Sequence, residues 1–164
     1  MSEGRDTKQE IRDTKQEIRD TEDVAELARL DAWRLSDDLA LEVFKLSRHL
    51  PVDLRWLGAQ ALRAATSVPA NIAEGYSRSS RREFLQFLSI ARGSLTELEY
   101  YLHFLRRSEI IDQHAYDSLT VLRRRAAQTL FGLMRSLRAS LPPKKTGPQT
   151  QLRETEEEYL AEID

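Results

Sequence analysis

SRREFLQFLSIARGSLTELEYYLHFLRR, residues 80–107, decides the fold. Counting from Phe84, apolar side chains recur at Phe87, Leu88, Ala91, Leu95, Leu98, Leu102 and Leu105, at offsets of 3, 4, 7, 11, 14, 18 and 21. Steps of three and four hold one face of a 3.6-residue helix, so the spacing predicts a single long amphipathic helix. Ser80 followed by Glu83 has the form of a capping box that opens it. Gly93, in its middle, costs about 1 kcal/mol relative to Ala, which predicts the close approach of another helix.

Immediately upstream, Thr66-Ser67-Val68-Pro69-Ala70-Asn71-Ile72-Ala73-Glu74-Gly75-Tyr76 holds more interruptions than a simple connection requires. Leu54, Leu57, Ala61, Ala64, Ala65, Val68 and Ile72 mark a helix whose phase survives Pro69. A proline there loses one backbone bond and crowds the Ala65 carbonyl, predicting either a kink near 65–69 or a fresh segment capped by Ser67. Gly75 reads as the left-handed stop just beyond the helix. Before it, Trp33, Leu35, Leu39, Val43, Leu46 and Leu50 define a helix over about 30–49 that Pro51 ends.

Downstream, Asp112 is placed to cap a fourth helix with the stripe Ala115, Leu119, Leu122, Ala126, Leu130, Leu133 and Leu137, ended by Leu141-Pro142-Pro143. Four helices with short connections predict an all-α fold, an antiparallel up-down-up-down four-helix bundle over residues 30–141. Residues 1–29 form a heptad-repeat charged arm, and 142–164 a linker and acidic tail.

In the arm, residues 5–11 recur unchanged at 12–18. The seven-residue period sets Ile11, Ile18 and Ala25 beside Thr7, Thr14 and Thr21 as a and d positions, with Lys8, Lys15, Glu10 and Glu17 flanking them. Within one helix it also sets like charges four apart, so the arm is expected to be helical in company rather than alone. A frayed tandem duplication is the alternative.

The chain has 164 residues, enough for one domain with appendages. It has no Cys, which fits a reducing compartment and removes disulfides and thiol chemistry. No apolar run approaches the ~20 residues of a membrane span, so the expected location is the cytoplasm, with no membrane partner. The net charge of −2 is uneven: residues 1–23 carry five basic and eight acidic side chains, residues 152–164 one and six, leaving 19 basic and 13 acidic between them. A body of +6 suits a polyanionic partner, and equally suits ordinary solubility.

The histidines, His49, His103 and His114, form no constellation, and Glu99 with His103 has the wrong spacing for a di-iron bundle. With no phosphate loop, nucleophile elbow or zinc spacing, no enzyme activity, catalytic residue, metal or cofactor is expected. Asn71, Glu74, Arg92 and Glu97, polar residues near the apolar stripes, are read as a structural hydrogen-bond network. Antiparallel helices bring Arg78, Arg81, Arg82, Arg135, Arg138, Lys144 and Lys145 to one end, the candidate nucleic-acid-binding set. Arg106, Arg107 and Arg123 to Arg125 are expected at the other end, about 36 Å away. Arg81 and Arg82 oppose the positive end of a helix dipole, and a phosphate would relieve that cost. A solvated helix end offset by Glu83 is the plainer alternative. Arg123, Arg124 and Arg125 cannot share one face, so at least one serves packing or an interface.

Residues 60–78 (QALRAATSVPANIAEGYSR) and 84–99 (FLQFLSIARGSLTELE) resemble, in order, two signatures of the small four-helix-bundle family encoded by intervening sequences in bacterial 23S ribosomal RNA genes. The likeness covers about residues 31–139. It implies a ring-like oligomer, most commonly a homopentamer, with a nucleic-acid role and no known catalysis. A more distant similarity is to the accessory protein of diversity-generating retroelements, which works with a reverse transcriptase and its RNA. The sequence departs from the pattern at Leu62, where an arginine is usual, and at a Pro51 turn one residue short. Together these readings lead to a non-enzymatic, oligomeric protein that binds RNA or another nucleic acid through basic helix ends. The alternative is a protein-protein interaction scaffold that recruits a partner through the heptad arm and acidic tail. A nuclease or hydrolase active only as an oligomer would lack a metal-ligand set.

Overall fold

The computed structural model describes residues 25–142, so the heptad arm up to residue 24, the acidic tail, Lys144 and Lys145 lie outside the described residues. Within that span the chain is all-α and has no strand. It comprises α1 (Asp31–His49), a 3-10 turn (Val52–Leu54), α2 (Arg55–Tyr76), α3 (Arg81–Arg107) and α4 (Gln113–Ala139). Residues 25–27 are also helical. No helix among the described residues is long and apolar enough to cross a membrane.

Each long helix packs on two others: α1 on α2 and α4, and α3 on α2 and α4, while the diagonals scarcely meet. Cross-helix bonds give the directions. Ser67 faces Ser94 and, four residues back along α2 and three forward along α3, Arg63 faces Glu97. Along α3 and α4, Arg81 reaches Ser140 while Glu99 meets Arg123. Both pairs are therefore antiparallel. The stripes read from the sequence meet in one core in which Leu39, Val43, Val68, Ile72, Leu88, Leu98, Leu102 and Leu130 are fully buried. At about 1.5–3 kcal/mol for each large side chain, this burial outweighs any surface ion pair described below. A smaller cluster of Leu50, Leu57, Leu105 and Ile111 closes the end that holds the α1–α2 and α3–α4 turns.

The punctuation differs from the expectation at several points. Gly75 is helical, not a left-handed stop, and no glycine among the described residues has a positive φ. A Cβ on Gly75 would lie 2.6 Å from Phe84 Cδ2 and 2.8 Å from Phe87 Cβ, so its missing side chain lets the start of α3 close on the end of α2. Gly93 shows the reverse: in place of the expected close helix contact, nothing among the described residues lies within 4 Å of where its Cβ would be. The left-handed residue is Glu109, at φ 56°, in a Schellman closure of α3. There Ile110 N–H donates to Leu105 O (3.0 Å) and Glu109 N–H to Arg106 O (3.1 Å).

Ser80 occupies the N-cap of α3, but its side chain makes no cap hydrogen bond, so the reciprocal capping box is not formed. Asp112 does cap α4, its Oδ1 accepting from Ala115 N–H at 2.7 Å. The α2 helix runs continuously through Pro69, so Ser67 does not begin a new segment.

Candidate nucleic-acid interface

The α2–α3 turn and the end of α4 share one end of the molecule because α3 and α4 are antiparallel. Arg81 Nη1 donates to Ser140 O at 3.2 Å, the contact that joins them. A cation on the last carbonyls of a helix is favourable, so α4 offsets much of the cost of placing Arg81 at the start of α3. Arg78 bonds Glu74 and stands over the Phe87 ring, its guanidinium carbon 5.2 Å from the centroid. Arg82, Arg135 and Arg138 are exposed. The structure thus brings together five of the seven residues expected at this end.

The start of α1 adds Arg29 and Arg34, with Glu26 and Asp31, to the same end. Arg34 bonds Asp31 at 2.8 Å, and that bond with the neighbouring charge holds its pKa above the ordinary value. Seven arginines (29, 34, 78, 81, 82, 135, 138) against Glu26, Asp31, Glu74 and Glu83 leave a surplus of three positive charges. At the opposite end, counted to the same depth, Lys45, Arg48, Arg55, Arg106 and Arg107 face Asp53, Glu109, Asp112 and Asp117, a surplus of one.

The second expected basic cluster does not form. Arg106 Nε donates to Gln113 Oε1 at 2.8 Å at that end, but Arg123 to Arg125 lie ten to twelve residues into α4, about 15 Å along its axis. Arg123 bonds Glu99 at 2.7 Å with only 13% of its side chain exposed, so this member of the triplet serves packing.

Nor do Asn71, Glu74, Arg92 and Glu97 join as one network. Asn71 Nδ2 donates to Ser67 O (2.7 Å) and Ser67 Oγ (3.0 Å), and Ser94 Oγ donates to Ser67 Oγ (2.9 Å). Glu74 pairs with Arg78, and Glu97 with Arg63 at 2.5 Å. Arg92 has no side-chain bond among the described residues. The three that do bond make separate contacts, because successive positions on a helix turn by 100°.

Two features escaped the sequence reading. His49 and His114, which no spacing in the sequence connects, line one open groove of about 330 Å³ between the end of α1 and the start of α4. His49 Nδ1 is 2.7 Å from Lys45 O, and Lys45 Nζ bonds Glu42 at 2.6 Å, so the groove's nearest carboxylate already has a partner.

The other feature is a second stripe on α3. Ile90, Gly93, Glu97, Tyr100 and Phe104 repeat at steps of three and four on the face opposite the core. Tyr100 is 59% and Phe104 40% exposed, with ring centroids 6.3 Å apart. The register set by Arg63 and Glu97 brings Trp56, 61% exposed, level with Phe104 two turns further on. The signal was present in the sequence as a second period-3.5 set offset from the core stripe.

Long antiparallel helices, an α2–α3 seam fixed by small and polar residues and one surplus-basic end define a small all-α protein. A family model described as 23S rRNA-intervening sequence protein matches residues 28–132, and the chain belongs to that family. The two signatures become helices α2 and α3, joined by Arg63–Glu97, Ser67–Ser94 and the Gly75–Phe84 contact. Among solved structures, the chain is similar to a protein of unknown function from the S23 ribosomal protein family of Bacteroides thetaiotaomicron VPI-5482. The identity is 29% and the TM-score 0.59, over 63% of this chain and 98% of that one. No curated protein matches the chain significantly.

Proposed function

We propose that this chain is a non-enzymatic, cytoplasmic, up-down-up-down four-helix-bundle protein that assembles as a ring-like homo-oligomer and binds RNA or another nucleic acid through its basic end. The observation that carries the reading is the Arg81–Ser140 contact, which gathers Arg78, Arg82, Arg135 and Arg138 around one helix turn and one helix terminus. Guanidinium groups pair with phosphate oxygens in fork geometry and carry no base specificity by themselves, so the expected mode is backbone binding. Self-association is supported by the exposed Trp56, Tyr100 and Phe104 on the α2–α3 side. A ring would repeat the basic end around one axis and multiply its contacts with a single strand.

The test is affinity for a fluorescent single-stranded RNA measured against salt concentration. Five phosphate contacts per chain on a single strand give a log–log slope of roughly −3.5, about a hundredfold loss between 50 and 200 mM salt. The double variant Arg82→Glu with Arg135→Glu is expected to lose at least tenfold in affinity at 100 mM salt. A flat salt dependence, or no binding at low salt, overturns the reading.

A further inference from the structure

The chain enters and leaves the described fold at its basic end. Tyr76 Oη donates to Glu26 Oε2 at 3.4 Å and Leu27 is buried, so the N-terminal side comes in beside the end of α2. Ser140, bonded by Arg81, lies two residues before the last described residue, Pro142. Beyond it stand residues 143–164, of which 152–164 carry six carboxylates and one arginine.

We propose that the acidic segment 152–164 folds back onto the basic end of its own chain, over Arg82, Arg135 and Arg138, and holds it in competition with a polyanion. The competition rests on the reading of that end given above; the docking itself does not.

Three arguments converge on this occupant. The first is reach: the nine residues 143–151 span at most about 30 Å, so the acidic segment begins within that radius of Arg81. The opposite end of the molecule, 27 residues of α4 away, is about 40 Å distant. The second is concentration: one segment confined to such a radius is present at millimolar levels or above, whatever the amount of protein. The third is charge: a segment of −5 starts beside a surplus of three positive charges, while the far end carries a surplus of one. The segment presents carboxylates where a nucleic acid would present phosphates, and Arg82, Arg135 and Arg138 accept either.

Two measurements on the full-length chain test this. The chain has no Cys, so Ser79→Cys in the exposed α2–α3 turn and Ala161→Cys give unique sites for a donor and an acceptor dye. Labelled chains diluted twentyfold into unlabelled protein report the distance within one chain. High transfer at 50 mM salt is expected, falling by at least half at 500 mM and in the Arg82→Glu, Arg135→Glu background. Transfer that ignores both changes overturns the docking. In the second measurement Glu154, Glu156, Glu157, Glu158 and Glu162 are all changed to Gln, which is expected to tighten single-stranded RNA binding about tenfold at 50 mM salt. Unchanged RNA affinity in that variant overturns the competition. Salt-sensitive transfer in a protein that binds no RNA in either form would leave the docking standing and remove the nucleic-acid reading instead.

Discussion

Gly75 and Glu109 exchange the roles that residue type would assign them. A left-handed backbone favours glycine, yet the described residue that adopts it is Glu109, at φ 56°, whereas Gly75 is an ordinary helical residue held against Phe84. Replacing Glu109 by Gly relieves the steric cost of a Cβ at positive φ and is expected to raise stability by about 0.5–1 kcal/mol. Gly75→Ala places a methyl group 2.6 Å from a phenyl carbon and is expected to cost about 1–3 kcal/mol by overpacking. Urea unfolding of the two variants checks both signs, and a stabilising Gly75→Ala would refute the contact as its reason. The confusion has a physical cause. A glycine after an alanine-rich helix and before Tyr-Ser-Arg satisfies the stop pattern and the close-approach pattern equally, and only the position of Phe84, nine residues on, separates them.

At the scale of elements, the termini and the seams carry separate predictions. Ser80 and Asp112 both occupy N-caps, but only the Asp112 side chain bonds a backbone N–H. Asp112→Ala is expected to cost about 1 kcal/mol and Ser80→Ala close to nothing, as thermal unfolding of each variant would show. The two cross-helix ion pairs differ in the same manner. Arg63 and Glu97 are 63% and 36% exposed, so solvent screens them and their pairing is worth at most ~1 kcal/mol. Arg123 is 13% exposed, and Arg123→Ala removes a packed stem as well as a charge. It is expected to destabilise at least twice as much as Arg63→Ala, and equal effects in chemical denaturation would show that burial is not what separates them.

Helix existence and bounds were legible because each core stripe repeats over several turns: the run read as about 30–49 is α1, Asp31–His49. The polar contacts were not. Ser67 and Ser94, which sit at the centre of the α2–α3 seam, are small residues with no period of their own, and their meeting depends on the relative register of two helices. Arg123 was legible only as one of three arginines that could not all face solvent.

At the scale of the whole molecule, one observation is left unexplained by a solitary chain. Helix α3 carries its core stripe on one side and Ile90, Gly93, Tyr100 and Phe104 on the other, with Trp56 of α2 alongside. Exposed aromatics clustered on one face mark an interaction surface far more often than scattered apolar residues do. The open space at Gly93 belongs to the same argument: a mid-helix glycine costs about 1 kcal/mol, and among the described residues nothing approaches it. In an assembly that face would be covered, and the glycine would admit a neighbouring backbone.

Tyr100→Glu and Phe104→Glu are therefore expected to lower the sedimentation mass to that of one 19.0 kDa chain while leaving helical circular dichroism unchanged, since both side chains stand outside the core. Gly93→Ala is expected to raise the stability of the dissociated chain by up to about 1 kcal/mol and to weaken assembly, two effects of opposite sign from one methyl group. The acidic variants also separate assembly from nucleic-acid binding. A single chain keeps its own Arg78, Arg82, Arg135 and Arg138, so it should still bind a single-stranded RNA, with the shallower salt slope of one basic end. A parent protein that sediments as a single chain at micromolar concentration, or variants that keep the parent's mass, would show that this face has another use.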